Sequence, residues 1–413
     1  VSECSTGCVA VRSIEFILVF GSAFDYVLTV RPAADMSNTP SLVSVARCDS
    51  YAYDQVEAAV RASLEPFGGM RTFVKNGDAV LLKINLLAAK APERGITTHP
   101  AVLEAVAREV LNAGGRVVVG DSPAGALSGI ERFWNNTGVG DSVRRFNGTL
   151  VKFEGAGTRA YQVDGETYHL TSFLENVDVV INLPKLKTHG LTTFTGAVKN
   201  CFGLIPGFRK SEFHKIAPKV EPFSRILVDI FSLVRPRLSI MDGVIGLEGN
   251  GPSTSGSPRN IGLILASTDA VSMDSVASSI IGCRHDSIAT TRIAAARGLG
   301  EHRLERIRIE GPSIEEIAIG DYKLPSNYYL NFVPTWLVKL LGRYVWVRPH
   351  ANPNVCTACG TCIENCPVDA MSPDRRGIPD IDHSLCINCL SCDESCPEDA
   401  IEQKVSWLAR KLT

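Results

Sequence analysis

Eight of the chain's 13 cysteines lie between Cys356 and Cys396, in two copies of one spacing. Cys356, Cys359, Cys362 and Cys366 are separated by two, two and three residues, and Cys386, Cys389, Cys392 and Cys396 repeat the pattern at an offset of 30. A proline closes each copy (Pro367, Pro397), and the residues that follow match too, Val-Asp-Ala-Met against Glu-Asp-Ala-Ile. Three thiolates on so tight a loop can take three corners of an iron–sulfur cube. Cys-x-x-Cys pairs also hold zinc, but a third cysteine at the same step, followed by x-x-x-Cys-Pro, disfavours that reading. A secreted disulfide scaffold is short and cysteine-dense throughout, whereas the first 350 residues here carry only Cys4, Cys8, Cys48, Cys201 and Cys283. The crowding at one end indicates metal ligation in a reducing compartment, and a cytoplasmic location is expected.

The spacing resembles that of bacterial ferredoxins, which implies two [4Fe–4S] clusters with the last cysteine of each copy serving the other copy's cluster. Cluster one would take Cys356, Cys359, Cys362 and Cys396; cluster two would take Cys386, Cys389, Cys392 and Cys366. Small loop residues (Ala358, Gly360, Thr361, Ser391) leave room for backbone amides to approach the sulfides and tune their potential.

At 413 residues the chain exceeds what one hydrophobic core usually supports. A net charge of -2 gives no basic field for nucleic acid, and 45% hydrophobic with 21% charged residues excludes a disordered polyelectrolyte. The apolar run Phe16–Phe24 is far below the ~20 residues that span a bilayer, so no integral membrane segment is expected. Glu15 also spoils a signal peptide, and residues 1–40 are expected to be a non-native or disordered extension ahead of a natural start at Met36.

From Ser41 onward, apolar runs alternate with helical patterns. The stretches 79–84, 116–120, 178–183 and 261–266 read as buried strands, 101–111 as a helix stopped by Gly114-Gly115, and 159–170 as a hairpin turning at Asp164-Gly165. The fold class expected is α/β, a mainly parallel sheet flanked by helices with an antiparallel excursion, plus a small C-terminal α+β ferredoxin-like dicluster domain. The divisions expected are 41–311 for the α/β domain, 312–350 for an aromatic-rich connector with a short amphipathic helix at Trp336–Leu341, 351–402 for the cluster domain and 403–413 for a helical tail.

In open α/β sheets ligands bind beyond the carboxyl ends of strands, and polar residues gather at those ends here. The candidates are Lys83, His99, Asp121, Lys185, Lys187, His189, Lys199, Cys201, Asp242 and Glu248. Singly, each lysine can reach solvent beside a carboxylate. As a set, with Lys185 and Lys187 on one face of an extended segment, they point to a pocket for a carboxylate or phosphate, with Lys or His available for proton transfer. His99 and His189 could jointly bind a metal, and Cys201 could be activated by Lys199; a hydrogen-bonded loop residue and a buried inert thiol are the commoner outcomes. No strand carries G-x-G-x-x-G and no Gly-x-Ser-x-Gly occurs, which disfavours a nicotinamide enzyme and a serine hydrolase.

Lys83-Ile-Asn85, Thr98-His99-Pro100, Gly120-Asp121-Ser122-Pro123, Asn182-Leu-Pro-Lys185-Leu-Lys187-Thr-His189, Gly196-Ala-Val-Lys199-Asn200 and Asp242-Gly243 through Glu248-Gly249-Asn250-Gly251-Pro252 resemble the domain of unknown function 362 family, fused here to a dicluster ferredoxin module. That family identity implies no reaction. The function expected is an iron–sulfur oxidoreductase relaying electrons from the clusters to a small anionic substrate in the α/β domain, served by a redox donor or acceptor protein. The alternative is a ferredoxin-like electron carrier or accessory protein without a substrate of its own; a mainly structural role for the clusters is a third reading.

Overall fold

A computed structural model describes residues 28–29, 40–123, 129–207, 209–326, 328 and 346–407. The strands are β1 (Leu28–Thr29), β2 (Ser41–Arg47), β3 (Ala79–Ile84), β4 (Arg116–Asp121), β5 (Thr149–Lys152), β6 (Thr158–Val163), β7 (Glu166–Thr171), β8 (Val179–Leu183), β9 (Lys185–His189), β10 (Thr193–Thr195), β11 (Leu238–Gly249), β12 (Gly256–Ser267), β13 (Ile307–Glu310), β14 (Val347–Ala351), β15 (Met371–Pro373), β16 (Pro379–Ile381) and β17 (Ile401–Val405). The main sheet runs β13–β2–β12–β11–β8–β3–β4–β5, with β9 paired to β11 and β10 to β9. β11–β8, β8–β3, β3–β4, β4–β5 and β13–β2 are parallel, while β12 is antiparallel to both β11 and β2. The expected mainly parallel sheet is therefore present.

Period-two alternation divides each buried strand between two cores. Val80 and Leu82 of β3 face the helices Tyr53–Leu64 and Pro100–Asn112, and Leu81 joins the core around Val220–Val234 and Ala270–Ile280. Both faces are covered, which is why these strands read as unbroken apolar runs. Helix Pro100–Asn112 starts as its sequence dictates: Pro100 takes the first position, where its missing N–H costs nothing, and His99 Nδ1 accepts the Ala101 amide. It ends before Gly114, whose φ of 92° a side chain would resist. The β6–β7 hairpin turns at Asp164 (φ 51°) and Gly165 (φ 89°), as the Asp-Gly pair predicts.

Two strand-end segments are themselves strands. Lys185–His189 forms β9, and Leu238–Gly249 runs through Gly243 and Gly246 as one strand. These glycines permit close packing: a Cβ on Gly246 would lie 2.4 Å from Ile261 Cδ1 and 3.0 Å from the Leu186 carbonyl. Residues 401–405 form strand β17, antiparallel to β14. The 1–35 extension, apart from β1, and the helix expected at 336–341 lie outside the described residues, as does most of the expected terminal helix.

Candidate functional site

β3 lies between β4 and β8, and the chain leaves β3 toward β4 and β5 before returning on its other side at β8. A crevice opens where strand order reverses in this way. Asn85 after β3, Asp121 and Ser122 at the end of β4, Lys187 on β9, and Lys199 and Asn200 in the short helix Ala197–Asn200 all line one cavity there. Its far wall belongs to the cysteine-rich module: Asn365, Ser391 and Glu394. Lys210 and His214 of helix Arg209–Ile216 complete it.

The lysines expected around one cleft divide into two groups. Lys83, fully buried, pairs with Asp121 at 2.9 Å and donates to the Ile84 carbonyl, so it lies behind the cavity wall. Asp121 also accepts the Leu86 and Ser122 amides. Lys185 pairs with Asp242 at 2.8 Å and donates to Tyr51 Oη, which itself donates to Asp242. His99 belongs to this second group, its ring stacked 3.5 Å from that of Tyr51 and its amide donating to Asp242. Thus Lys185, His99 and Asp242 form a closed, mutually satisfied cluster outside the cavity lining. Glu248 is elsewhere again, accepting the Lys323 amide. Among the described residues no three His, Cys, Asp or Glu side chains converge on a single-ion position, and His99 and His189 belong to different clusters. Cys201 is buried and its thiol is pushed up to about 12 by that burial, against the lowering effect of Lys83, so the structure gives it the setting of an inert thiol.

Lys187 and Lys199 face the cavity. Lys187 donates to Asn85 Oδ1 and the Ile96 carbonyl, and Asn85 in turn donates to Asn200, which donates to Asn182. Burial, then the like charge of Lys199, pushes Lys187 well below the usual lysine range. Lys199 is lowered by burial, with Glu394 opposing. Burial also brings Lys210 down to about 8 against Asp121 and Glu154, while it donates to Ser122 Oγ at 2.8 Å. His189, fully buried next to the cavity, accepts the Leu191 amide at Nδ1, leaving Nε2 to carry the hydrogen that faces Glu394 Oε1 at 3.6 Å. Burial holds His189 at about 3 and His214 at about 4, both neutral near pH 7. Burial pushes the Glu394 carboxyl up, but His189, Lys199 and His214 outweigh it and hold it at about 2.

Sequence reasoning missed Lys210, His214 and Glu394. The helix 209–216 carries no apolar stripe that would mark it as part of a domain, and Glu394 lies between Cys392 and Cys396, at a position the cysteine spacing leaves unspecified.

The cysteine module repeats at the backbone level. Positive φ recurs at the 30-residue offset in Ala358 and Asn388, Gly360 and Leu390, and Asp369 and Asp399. Cys356, Cys359, Cys362 and Cys396 line one small cavity, the set expected for cluster one. Cys366 raises Cys386 and Cys389 by its charge, and Cys392 feels Cys386, Cys389 and, from the other set, Cys362. Amides of Ala358, Ala370 and Ala400 donate to the sulfurs of Cys356, Cys366 and Cys396 at 3.2–3.4 Å. Burial and neighbouring thiols push Cys362 up to about 11 and Cys392 well above the usual range, so these sulfurs need a cation to be thiolates. Iron would supply that charge, and the cysteine donor set fits iron–sulfur ligation.

The module docks on the α/β domain through Lys90, which pairs with Asp399 at 2.8 Å and donates to the Pro397 carbonyl, and through Asp393, which accepts from Ser255. Among the described residues no helix is long and apolar enough to cross a membrane.

Comparison with known proteins agrees with this two-part architecture. A family model described as a domain of unknown function (DUF362) matches residues 80–279, and a 4Fe-4S dicluster domain matches residues 355–401. A thylakoid-associated protein of Synechocystis sp. is 38% identical over 290 residues, covering 69% of this chain and 88% of that protein. Among solved structures, the lactate racemase apoprotein of Thermoanaerobacterium thermosaccharolyticum aligns with 12% identity and a TM-score of 0.35 over 62% of this chain and 60% of that one. A Thermotoga maritima protein aligns with 14% identity and a TM-score of 0.33 over 54% and 57%.

Proposed function

Since the chain belongs to the domain of unknown function 362 family and carries a 4Fe-4S dicluster domain, we propose that it is an iron–sulfur oxidoreductase that reduces a small anion in the cavity between its two parts. The observation that carries this reading is the convergence of uncompensated polarity there. Thr195 Oγ1, His214 Nδ1 and Glu394 Oε1 line the cavity, His189 Nε2 and Glu154 Oε2 adjoin it, and all five are buried without a hydrogen-bond partner. Buried polar groups are almost always paired, so a cluster of unpaired ones marks a place where a polar ligand or water belongs. Once Lys83 is set against Asp121, three lysines face one module carboxylate across the cavity, and that surplus of positive charge favours an anion.

When bound, the clusters supply electrons one at a time from an external redox protein. The chain's own residues do the rest. Lys187 and Lys199 hold the anion; Lys210 Nζ, brought near neutrality, can release a proton to it; the module wall excludes bulk water. Asn365 and Ser391 adjoin Cys366 and Cys392, one Cα step of about 3.8 Å from two ligands of cluster two. The exposure of Cys359 favours partner access at cluster one and keeps the carrier reading open. A cytoplasmic location belongs to the proposal, with the membrane surface as the alternative that the relative's thylakoid association raises.

The test is anaerobic: dithionite-reduced protein, freed of excess reductant, is mixed with a panel of small carboxylates and phosphates. Reoxidation of the clusters by one class of anion, followed optically, supports the oxidoreductase. Clusters that stay reduced with every anion yet exchange rapidly with a redox protein would leave the carrier.

A further inference from the structure

Glu394 is an odd lining for an anion pocket. It comes from the opposite domain, on the short helix Ser391–Ser395, and its side chain is only 12% exposed. It lies 3.6 Å from His189 and lines the cavity together with Lys199 and His214, the groups that would greet an incoming anion. Yet no hydrogen bond closes on it: the approach to His189 Nε2 is 3.6 Å, and neither Glu394 Oε1 nor His189 Nε2, both buried, has a hydrogen-bond partner. His214 Nδ1, in the same wall, is unpartnered as well. A carboxylate that fastens the module lies closer to its partner: Asp399 is 2.8 Å from Lys90. The arrangement is one of a carboxylate in a site made for carboxylates, held short of full engagement.

We propose that Glu394 is an internal tenant of a carboxylate subsite, and that the carboxyl group of a small organic acid displaces it to reach Lys199, His189 and His214. This deepens the anion-pocket reading and rests on it. It narrows the ligand class from anions in general to carboxylates, since the subsite already fits that group. It also makes the protein's own side chain a competitor, because a tethered group whose reach matches the site competes at high effective concentration.

The experiment measures binding of malonate, succinate and inorganic phosphate to the anaerobic, cluster-loaded chain by calorimetry, in the native protein and in Glu394→Gln. Where a competing state is populated about nine-tenths of the time, its removal tightens apparent affinity roughly tenfold. The expected result is that Glu394→Gln binds a carboxylate about tenfold more tightly, with a smaller gain for phosphate and with unchanged cluster absorbance and EPR spectra. Lys199→Met, whose module contacts through Lys90 and Ser255 are intact, should lose carboxylate binding in both backgrounds. Carboxylate affinity that is unchanged or weaker in Glu394→Gln, while Lys199→Met still abolishes it, would overturn the tenant and leave the anion pocket standing. Equal gains for phosphate would overturn the carboxylate assignment. Failure of all three probes to bind either form would sink both readings.

Discussion

Lys185 is fully buried and Lys199 half-buried, yet both follow the strand ends of one sheet; the structure gives them opposite duties, and replacing each by methionine separates the two. Lys185→Met strips the fully buried Asp242 carboxylate of its cation, leaving it with the Tyr51 hydroxyl and the His99 and Val244 amides. Breaking a buried pair from one side costs about 3–5 kcal/mol, because the remaining charge stays desolvated. The cavity lining is untouched, so affinity for a probe such as malonate should change less than about twofold. Lys199→Met removes a half-buried cation that lowers Lys187 and His189 by its charge, so the loss relieves repulsion as well as removing the attraction to Glu394. Its stability cost should stay under about 1 kcal/mol. A hydrogen bond to a charged group contributes about 1.5–3 kcal/mol, so anion affinity should fall by about 10- to 150-fold. Urea midpoints and calorimetry on anaerobic holoprotein read the two effects independently. A Lys185→Met protein of native stability that no longer binds the probe would refute this division of labour, as would a Lys199→Met protein that is grossly unstable.

Cross-ligation predicts that Cys396→Ala removes cluster one and spares cluster two, although Cys396 follows Cys386, Cys389 and Cys392 in sequence; iron content should fall by about half, and the surviving EPR signal should be the one that Cys366→Ala abolishes. Burial holds His99 and His214 at about 4 and His189 at about 3, below the ordinary value of about 6.5, so on acidification the unfolded chain takes up these protons first. Stability from these groups is complete above about pH 6.5 and is lost as pH falls toward their folded values, so the melting temperature should drop from pH 7 to pH 5 and drop less steeply in His214→Gln; parallel curves would refute the assignment.

The parts of this fold that local chemistry decides were legible in advance. Apolar runs at 79–84, 116–120 and 178–183 are strands because both sheet faces are covered, and Asp164-Gly165 turns because its backbone angles suit those residues. The strand-end rule brought Asp121, Lys187 and Lys199 to one crevice. What stayed hidden depended on partners distant in sequence. Lys185 and Lys187 share a face of an ideal strand, but the β9–β11 register shifts between Asp242 and Leu247, and Lys185 meets a tyrosine 134 residues away. Glycine inside β11 argues against a strand until β9 and β12 are seen packed against it. The cavity's far wall comes from a second domain, and no periodicity in either domain encodes how they dock.

That docking has its own signature in Leu390. At the equivalent position of the first repeat stands Gly360, and both residues have left-handed backbone, φ 78° for the glycine and φ 65° for the leucine. A non-glycine residue there costs about 1–2 kcal/mol, so the leucine needs a compensating contact. The contact is Gly190, next to His189: a Cβ on Gly190 would fall 2.6 Å from Leu390 Cδ1, so the leucine fills the space a side chain would take, and it is only 6% exposed. Burying a leucine contributes about 1.5–3 kcal/mol. The two effects lie in different places, strain within the module and burial across the interface, so Leu390→Gly should relax the first and weaken the second. Clusters should therefore persist while docking loosens. The Gly190 amide, which donates to the Gly251 carbonyl at 2.9 Å, and the Leu191 amide, bound to His189, report on it. Their hydrogen exchange should quicken about 10- to 150-fold in Leu390→Gly, and Gly190→Ala should act in the same direction by pushing the leucine out. Unchanged protection at both amides in both variants, with intact cluster spectra, would mean that the strained leucine answers to something other than the interface that closes the pocket.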